Sequence, residues 1–316
     1  MVASRSASDP ARRKRKAGGW AYWIANYELY LFLLPALVYY LIFCYWPMYG
    51  VQIAFREYTT RGGITGSTWI GLGNFRRMFF TPGFLGYIAN TLWLSGLSLA
   101  IGFPMPIVFS LMLNEVRNAK LKRLVQTVSY APHFISVVVL VSMLLILLNK
   151  DYGVVNMALR GLGFNPVHFL AESKYFRPVY VLSGIWQGLG WNSIIYLSAL
   201  SGIDPQLHEA ARIDGASRLK RIWHINIPGI LPTVTIMLIM ASGSLMSVGF
   251  EKVFLMQNSL NLNVSEVIST YVYKVGLMSY QFSFSAAVGL LNSVVNCLLL
   301  LAVNWITRSL NQTSLL

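Results

Sequence analysis

Long uninterrupted apolar runs, rather than alternating or amphipathic periods, dominate the pattern along the chain. Six of them, at 29–55, 88–113, 124–148, 178–200, 229–250 and 284–306, approach or exceed the roughly 20 residues that a helix needs to cross a bilayer. In hydrocarbon a segment must satisfy its own backbone hydrogen bonds, which selects helix over strand for each run. The pattern therefore predicts an all-α membrane protein with six transmembrane helices. Pro35, Pro104, Pro106 and Pro132 fall within the runs. Membrane helices tolerate such residues where neighbours re-satisfy the freed carbonyls.

Polar connections separate the runs. The first outer connection, 56–87, is rich in glycine, the second spans 149–177, and the third, 251–281, is rich in asparagine (Asn258, Asn261, Asn263). On the other side the connection 114–123 is short and 201–228 is long. Composition agrees: 55% of the 316 residues are hydrophobic and 11% charged, against roughly 25% charged in soluble domains. Basic residues then set the orientation. With the amino terminus inside, fifteen of the 25 Lys and Arg fall on cytoplasmic segments, among them Arg12 to Lys16, Arg117 to Arg123 and Arg212 to Arg221. This bias predicts both termini cytoplasmic. Trp20, Tyr22, Trp23 and Tyr27 mark the inner edge of the first span, and Tyr45, Trp46 and Tyr49 its outer edge. The chain thus reads as a basic cytoplasmic tail with an interfacial segment (1–28) followed by one six-helix domain (29–316). A polybasic stretch directly before a span is a topology determinant facing anionic lipid, so no nucleic-acid partner is expected. Cys44 and Cys297 lie inside predicted spans and form neither a disulfide framework nor a metal-ligand spacing.

The most informative stretch is the long cytoplasmic loop, 201–228. Asp204 can cap free amides and Pro205 fits a first helical turn, so a helix should start there. Glu209, Ala210, Ala211 and Arg212 continue it, the alanines giving high propensity and a slim surface. Gly215, after Asp214, should end it in a left-handed conformation. A second short helix follows, with Leu219, Ile222 and Trp223 at helical spacing. The residues alone leave two readings open, a docking surface for a partner and an amphipathic loop resting on the membrane.

The pattern Glu209-Ala210-Ala211, three residues, Gly215, nine residues, Ile225-Asn226-Ile227-Pro228 resembles the signature of permease subunits of binding-protein-dependent ATP-binding-cassette importers. Ile227 in place of Leu is the single departure. Tyr130-Ala131-Pro132-His133-Phe134-Ile135-Ser136, Gly71-Leu72-Gly73-Asn74-Phe75 and Ser285-Ala286-Ala287-Val288-Gly289 are similar to segments of the carbohydrate branch. The chain as a whole is similar to permeases of alginate-oligosaccharide importers. This resemblance implies the type I importer architecture in a bacterial inner membrane and transport by alternating access. It implies that 201–228 is a coupling loop, with Glu209, Ala210, Ala211, Asp214, Gly215 and Pro228 engaging an ATPase. Implied partners are a second permease subunit of different sequence, two ATPase subunits and an extracytoplasmic substrate-binding protein, within membrane lipid. The implied cargo is an oligosaccharide, with alginate or another uronate oligomer as the candidate. Ten basic residues stand against five acidic ones on the outer segments, an excess compatible with acidic cargo.

Sugar sites combine aromatic faces with a few amides and hydroxyls. The fourth span offers Trp186, Gln187, Trp191, Asn192 and Tyr196, the fifth Ser244, and the sixth Asn292 and Asn296. Polar span residues also hold helices together, which is the competing role for each. No catalytic constellation is visible, so the chain itself is not expected to be an enzyme. It has no Gly-rich segment ending in Gly-Lys-Ser/Thr, so ATP and Mg are expected on partner subunits and no cofactor on this chain. His208-Glu209-Ala210-Ala211-Arg212 lacks the second histidine of a zinc-protease motif, and no metal site is expected. A permease for a non-sugar solute stays open as an alternative. A secondary transporter is the further one, although ion coupling calls for ionisable residues in mid-membrane, which these runs lack.

Overall fold

A computed structural model of the chain describes residues 26–311. The basic tail and the aromatic residues Trp20, Tyr22 and Trp23 lie outside the described residues. The chain divides into two compact units, ending and beginning at Gln52 and Ile53. Helix α1 (Tyr27–Phe55), which lies in the first unit up to Gln52, starts as an α-helix, passes through a π-helical segment at Tyr40–Tyr45 and tightens to 3-10 geometry from Trp46. None of Tyr27 to Tyr45 is buried. A helix that is apolar all round has the character of a membrane span.

The second unit opens with structure where the sequence predicts a glycine-rich loop. Strands β1 (Arg56–Thr59) and β2 (Gly63–Trp69) pair antiparallel, with Gly63 taking φ +61° at the turn. Asn74 in helix α2 (Gly73–Phe80) donates to the carbonyls of Ala54 at 2.9 Å and Arg56 at 3.1 Å, pinning helix to hairpin. Helix α3 (Phe84–Asn114) carries a π-helical segment at Ser98–Gly102, immediately before Pro104. Pro104 and Pro106 contribute no amide hydrogen, and widening of the preceding turn absorbs that loss.

The predicted run 124–148 is not one straight helix. It is divided between α4 (Ala119–Phe134) and α5 (Val137–Leu147), which meet at 101°. Ile135 and Ser136 are extended, and the Ser136 hydroxyl accepts from the Val139 amide at 3.3 Å, starting a new helix. A hydropathy window averages across such a break, because the residues on both sides are apolar. After α6 (Val154–Gly161) comes α7 (Ser173–Ser201), 29 residues long, which carries the fourth predicted span. Helix α8 (Pro205–Ile213) and the long α9 (Arg218–Ser242) follow. The helix that carries the fifth predicted span therefore starts eleven residues before that run and ends before Gly243 rather than at Phe250. Three short helices, α10 (Phe250–Met256), α11 (Leu262–Ser265) and α12 (Ile268–Tyr273), fill the third outer connection, and α13 (Phe282–Asn311) closes the described chain. Among the described residues α1, α3, α9 and α13 are long and apolar enough to cross a membrane, and the bent pair α4 and α5 makes a fifth candidate.

Helix α7 is the hub of the second unit, packing against α3, α4, α9 and α11. The end of α4 comes close to it. A Cβ added to Gly190 would stand 2.2 Å from the Ser129 carbonyl oxygen and 2.8 Å from the Tyr130 ring. Only a residue without a side chain allows that approach, the means by which membrane helices gain van der Waals contact. The segment 251–281 is held by asparagines. Asn261 donates to the Leu170 carbonyl at 2.8 Å and the Met256 carbonyl at 3.1 Å, and accepts from Ser265 at 2.8 Å. Substituting Gly190 by Val should push α4 off α7 and destabilise the protein by about 1–3 kcal/mol, the usual cost of overpacking. Thermal unfolding of the detergent-purified protein reads this directly; an unchanged midpoint would contradict the close approach.

Candidate functional site

Two places on the second unit gather the residues singled out from sequence. The first is the loop between α7 and α9. Asp204 accepts from the Gln206 amide at 2.9 Å and caps α8, with Pro205 in its first turn. Glu209, Ala210 and Ala211 lie on this helix, none of whose residues is buried. At its end Gly215 takes φ +71°. The Gly215 amide donates to the Arg212 carbonyl at 3.1 Å and the Ala216 amide to the Ala211 carbonyl at 2.8 Å. This pair of hydrogen bonds is the Schellman motif, in which a left-handed glycine satisfies the last carbonyls of a helix. A Cβ at Gly215 would meet nothing within 4 Å, so backbone conformation alone calls for glycine there.

Ser217 then caps the next helix, accepting from the Lys220 amide at 3.4 Å. This is the short second helix that the sequence predicts, Arg218–Arg221, and it continues into the apolar part of α9 through a π-helical segment, Ile222–Asn226. Pro228 lies in the turn just after that segment, where the missing amide hydrogen has been bypassed. The loop's root is packed: Leu111, Leu200 and Ile230 form a buried cluster with Ile203 and Ile222 against it. Its outer surface is not. Ile213 is 87% exposed and Leu219 70%, and Leu207 and Trp223 are exposed as well. Arg221 and Asn226 are buried at the root, and the Arg221 Nε and the Asn226 amide have no hydrogen-bond partner among the described residues.

The second place is an open cavity of about 430 Å³ bordered by α3, α7, the end of α9, the chain that follows it and α10. Ser95, Ser98, Gln187, Asn192, Ser244 and Ser247 supply hydroxyls and amides to its wall, with glycines at 102, 184, 188 and 249 between them. Of the predicted pathway residues, it brings together Gln187, Asn192 and Ser244. Gln187 also donates to the Ile135 carbonyl at 2.8 Å, tying the wall to the bend between α4 and α5. Trp186, Trp191, Tyr196, Asn292 and Asn296 are not among its lining residues. Trp191 stacks on His133 with ring centroids 4.3 Å apart and planes 2° from parallel, with Phe134 edge-on. Tyr196 is buried in packing. Asn296 accepts from the Met246 amide at 2.8 Å and donates to the Ser247 hydroxyl at 3.1 Å, serving as a clamp between α13 and the chain after α9.

Sequence reasoning missed Ser95 and Ser98, whose three-residue spacing puts them on one face of α3, and Lys252. The lysine was counted with the outer basic residues. In the structure it is 8% exposed and lines the cavity. Its Nζ donates to the Tyr180 carbonyl at 2.9 Å and sits 4.7 Å from the centre of the Tyr180 ring. Helix α10 lies outside the candidate spans, and burial pushes the Lys252 ammonium down to about 8. Among the described residues no group of three or more His, Cys, Asp or Glu could hold a metal ion.

The family model for the inner membrane component of binding-protein-dependent transport systems matches residues 102–312. The chain is similar to the polygalacturonan/rhamnogalacturonan transport system permease protein YteP of Bacillus subtilis (strain 168), with 44% identity over 284 residues, covering 90% of this chain and 88% of the relative. It is similar to protein LplB of the same organism, with 42% identity over 303 residues and 95% of each chain covered. Among solved structures it matches a chain of a bacterial alginate transporter in complex with an alginate pentasaccharide-bound periplasmic protein. That match has a TM-score of 0.87 and 38% identity, covering 94% of this chain and 99% of the other.

Replacing Asn296 by Leu should leave the Met246 amide without its acceptor and cost about 1–3 kcal/mol. A loss of thermal stability in the purified protein is the expected result, and an unaltered midpoint would remove Asn296 from its structural role.

Proposed function

The chain belongs to the inner membrane components of binding-protein-dependent transport systems, and from that premise we propose that it is one permease of an ATP-driven importer of acidic oligosaccharides. The observation that carries this reading is the loop 201–228. It presents an ordered helix, a Schellman turn and a row of exposed apolar side chains that no other described residue covers. Exposed apolar surface on a rigid scaffold marks a partner site. The partner in this reading is a cytoplasmic ATPase subunit that receives α8, with Glu209 offering charge, Ala210 and Ala211 allowing close approach, and Asp214 and Gly215 setting the angle of the turn. Pro228 lies where the loop passes into the apolar part of α9, so a displacement of α8 would reach the cavity through that helix. The ATP and Mg belong to the ATPase pair, and a second permease and an extracytoplasmic binding protein complete the importer. Basic residues concentrated on the segments 1–28, 114–123 and 201–228 support an orientation with both termini in the cytoplasm.

The cavity is the segment of the translocation path that this chain provides. Its hydroxyls and amides suit the hydroxyl groups of a sugar, and its volume, about 430 Å³, lies in the range of small-ligand sites. The permease relative named for polygalacturonan and the transporter solved with alginate both concern polymers of uronic acids, which supports acidic cargo. Transport proceeds by exposing the cavity to alternate sides as the ATPases close and open.

The test is ATP hydrolysis by the reconstituted complex in liposomes, with binding protein and either uronate or neutral oligosaccharides. Uronate-loaded binding protein should stimulate hydrolysis of the wild-type complex. Gly215→Pro, which excludes the positive φ of the turn, should lower the stimulated rate by about 10-fold or release the ATPase subunits, while the chain still inserts into the membrane. Full stimulation in that variant would refute the role of the loop, and stimulation by neutral sugars alone would refute the acidic cargo.

A further inference from the structure

Lys252 has no counter-charge. The ion pairs among the described residues are Lys174 with Glu172 and Lys274 with Glu266. Lys252 is in neither, although it is nearly buried. It is also the one charged residue among those lining the cavity. A buried charge without a partner is costly, and natural proteins pair such groups or give them a task. Of the three N–H donors of an ammonium, one goes to the Tyr180 carbonyl, and the Tyr180 ring covers another side of the group. Gly184 makes room for the ammonium, since a Cβ there would stand 3.3 Å from Nζ. What these contacts hold in place is a cation at the edge of a polar cavity, with donor capacity left over.

Taking the cavity as the sugar path, as argued above, we propose that Lys252 receives a carboxylate of the passing uronate and makes this permease selective for acidic over neutral oligosaccharides. The hydroxyls and amides of Ser95, Ser98, Gln187, Asn192 and Ser244 address groups that every sugar carries. Lys252 addresses the one group that separates a uronate from its neutral counterpart. A hydrogen bond in which both partners are charged is among the stronger polar contacts, and a lysine provides it without the fixed geometry of a guanidinium. That suits cargo which must move on: the contact is a point charge on a flexible stem.

The experiment measures uptake of radiolabelled oligouronate by the complete importer in liposomes, for Lys252→Arg, Lys252→Gln and Lys252→Glu, with Ser244→Trp as a plug of the cavity. Yield and thermal midpoint of the assembled complex are recorded for each. Uptake should follow charge. Lys252→Arg should stay within about 3-fold of wild type, Lys252→Gln should fall by about 10-fold, as expected for losing a charge-assisted hydrogen bond, and Lys252→Glu should fall further. Wild-type uptake in Lys252→Gln, with Ser244→Trp blocked, overturns the role of Lys252 and leaves the path standing. Normal uptake in Ser244→Trp overturns the path itself. If Lys252→Gln and Lys252→Glu fail alike to assemble, or lose uptake equally regardless of charge, the lysine is a packing element and the proposal fails.

Discussion

Close packing without side chains at one helix decides much of the second unit. In a membrane the hydrophobic effect does not drive helices together, so contact has to come from backbones that approach closely. Helix α7 achieves this with glycine. Gly190 lets the Ser129 carbonyl and the Tyr130 ring of α4 lie against it, while Gly184 and Gly188, on the stretch lining the cavity, make room for the Lys252 ammonium and the Asn192 amide. The same helix thus makes a close backbone contact and part of the cavity wall within two turns.

The loop 201–228 applies a different economy. Its conformation is fixed from within: Asp204 and Ser217 supply caps and Gly215 supplies the turn, using hydrogen bonds between residues at most five apart. Its root is anchored by apolar packing around Leu111, Leu200 and Ile230. Because shape comes from local bonds, the exposed faces of α8 are not consumed in holding it together. A rigid body with a free surface, attached directly to a helix that borders the cavity, is the mechanical element that coupling between two sites needs.

This division also explains what the sequence made legible. Caps and left-handed turns are written in a few consecutive residues, so α8 and its ending could be read from Asp204, Pro205 and Gly215. The apolar runs located the spans because length and composition are local too. What escaped was tertiary. The break in 124–148 sits between residues as apolar as their neighbours, and its signs, Pro132 and Ser136, are common inside spans. Asn296 looked like a pathway residue because an amide in a span has two uses, and only its bond to the Met246 amide tells them apart. Lys252 was assigned to an outer connection from its position in the chain. Its place beside Tyr180 depends on α10 folding back onto α7, a contact across 72 residues.

The bend between α4 and α5 makes the course of one helix depend on another. At 1.5 Å per residue, the 11 residues of α5 reach only about 17 Å, well short of a hydrocarbon core of roughly 30 Å. Only taken together do α4 and α5 have the length and apolar character of a span. The Ile135 carbonyl at the bend is satisfied by Gln187, 52 residues downstream. A break in one helix is thus completed by a side chain of another, so the angle between α4 and α5 is tied to the seating of α7.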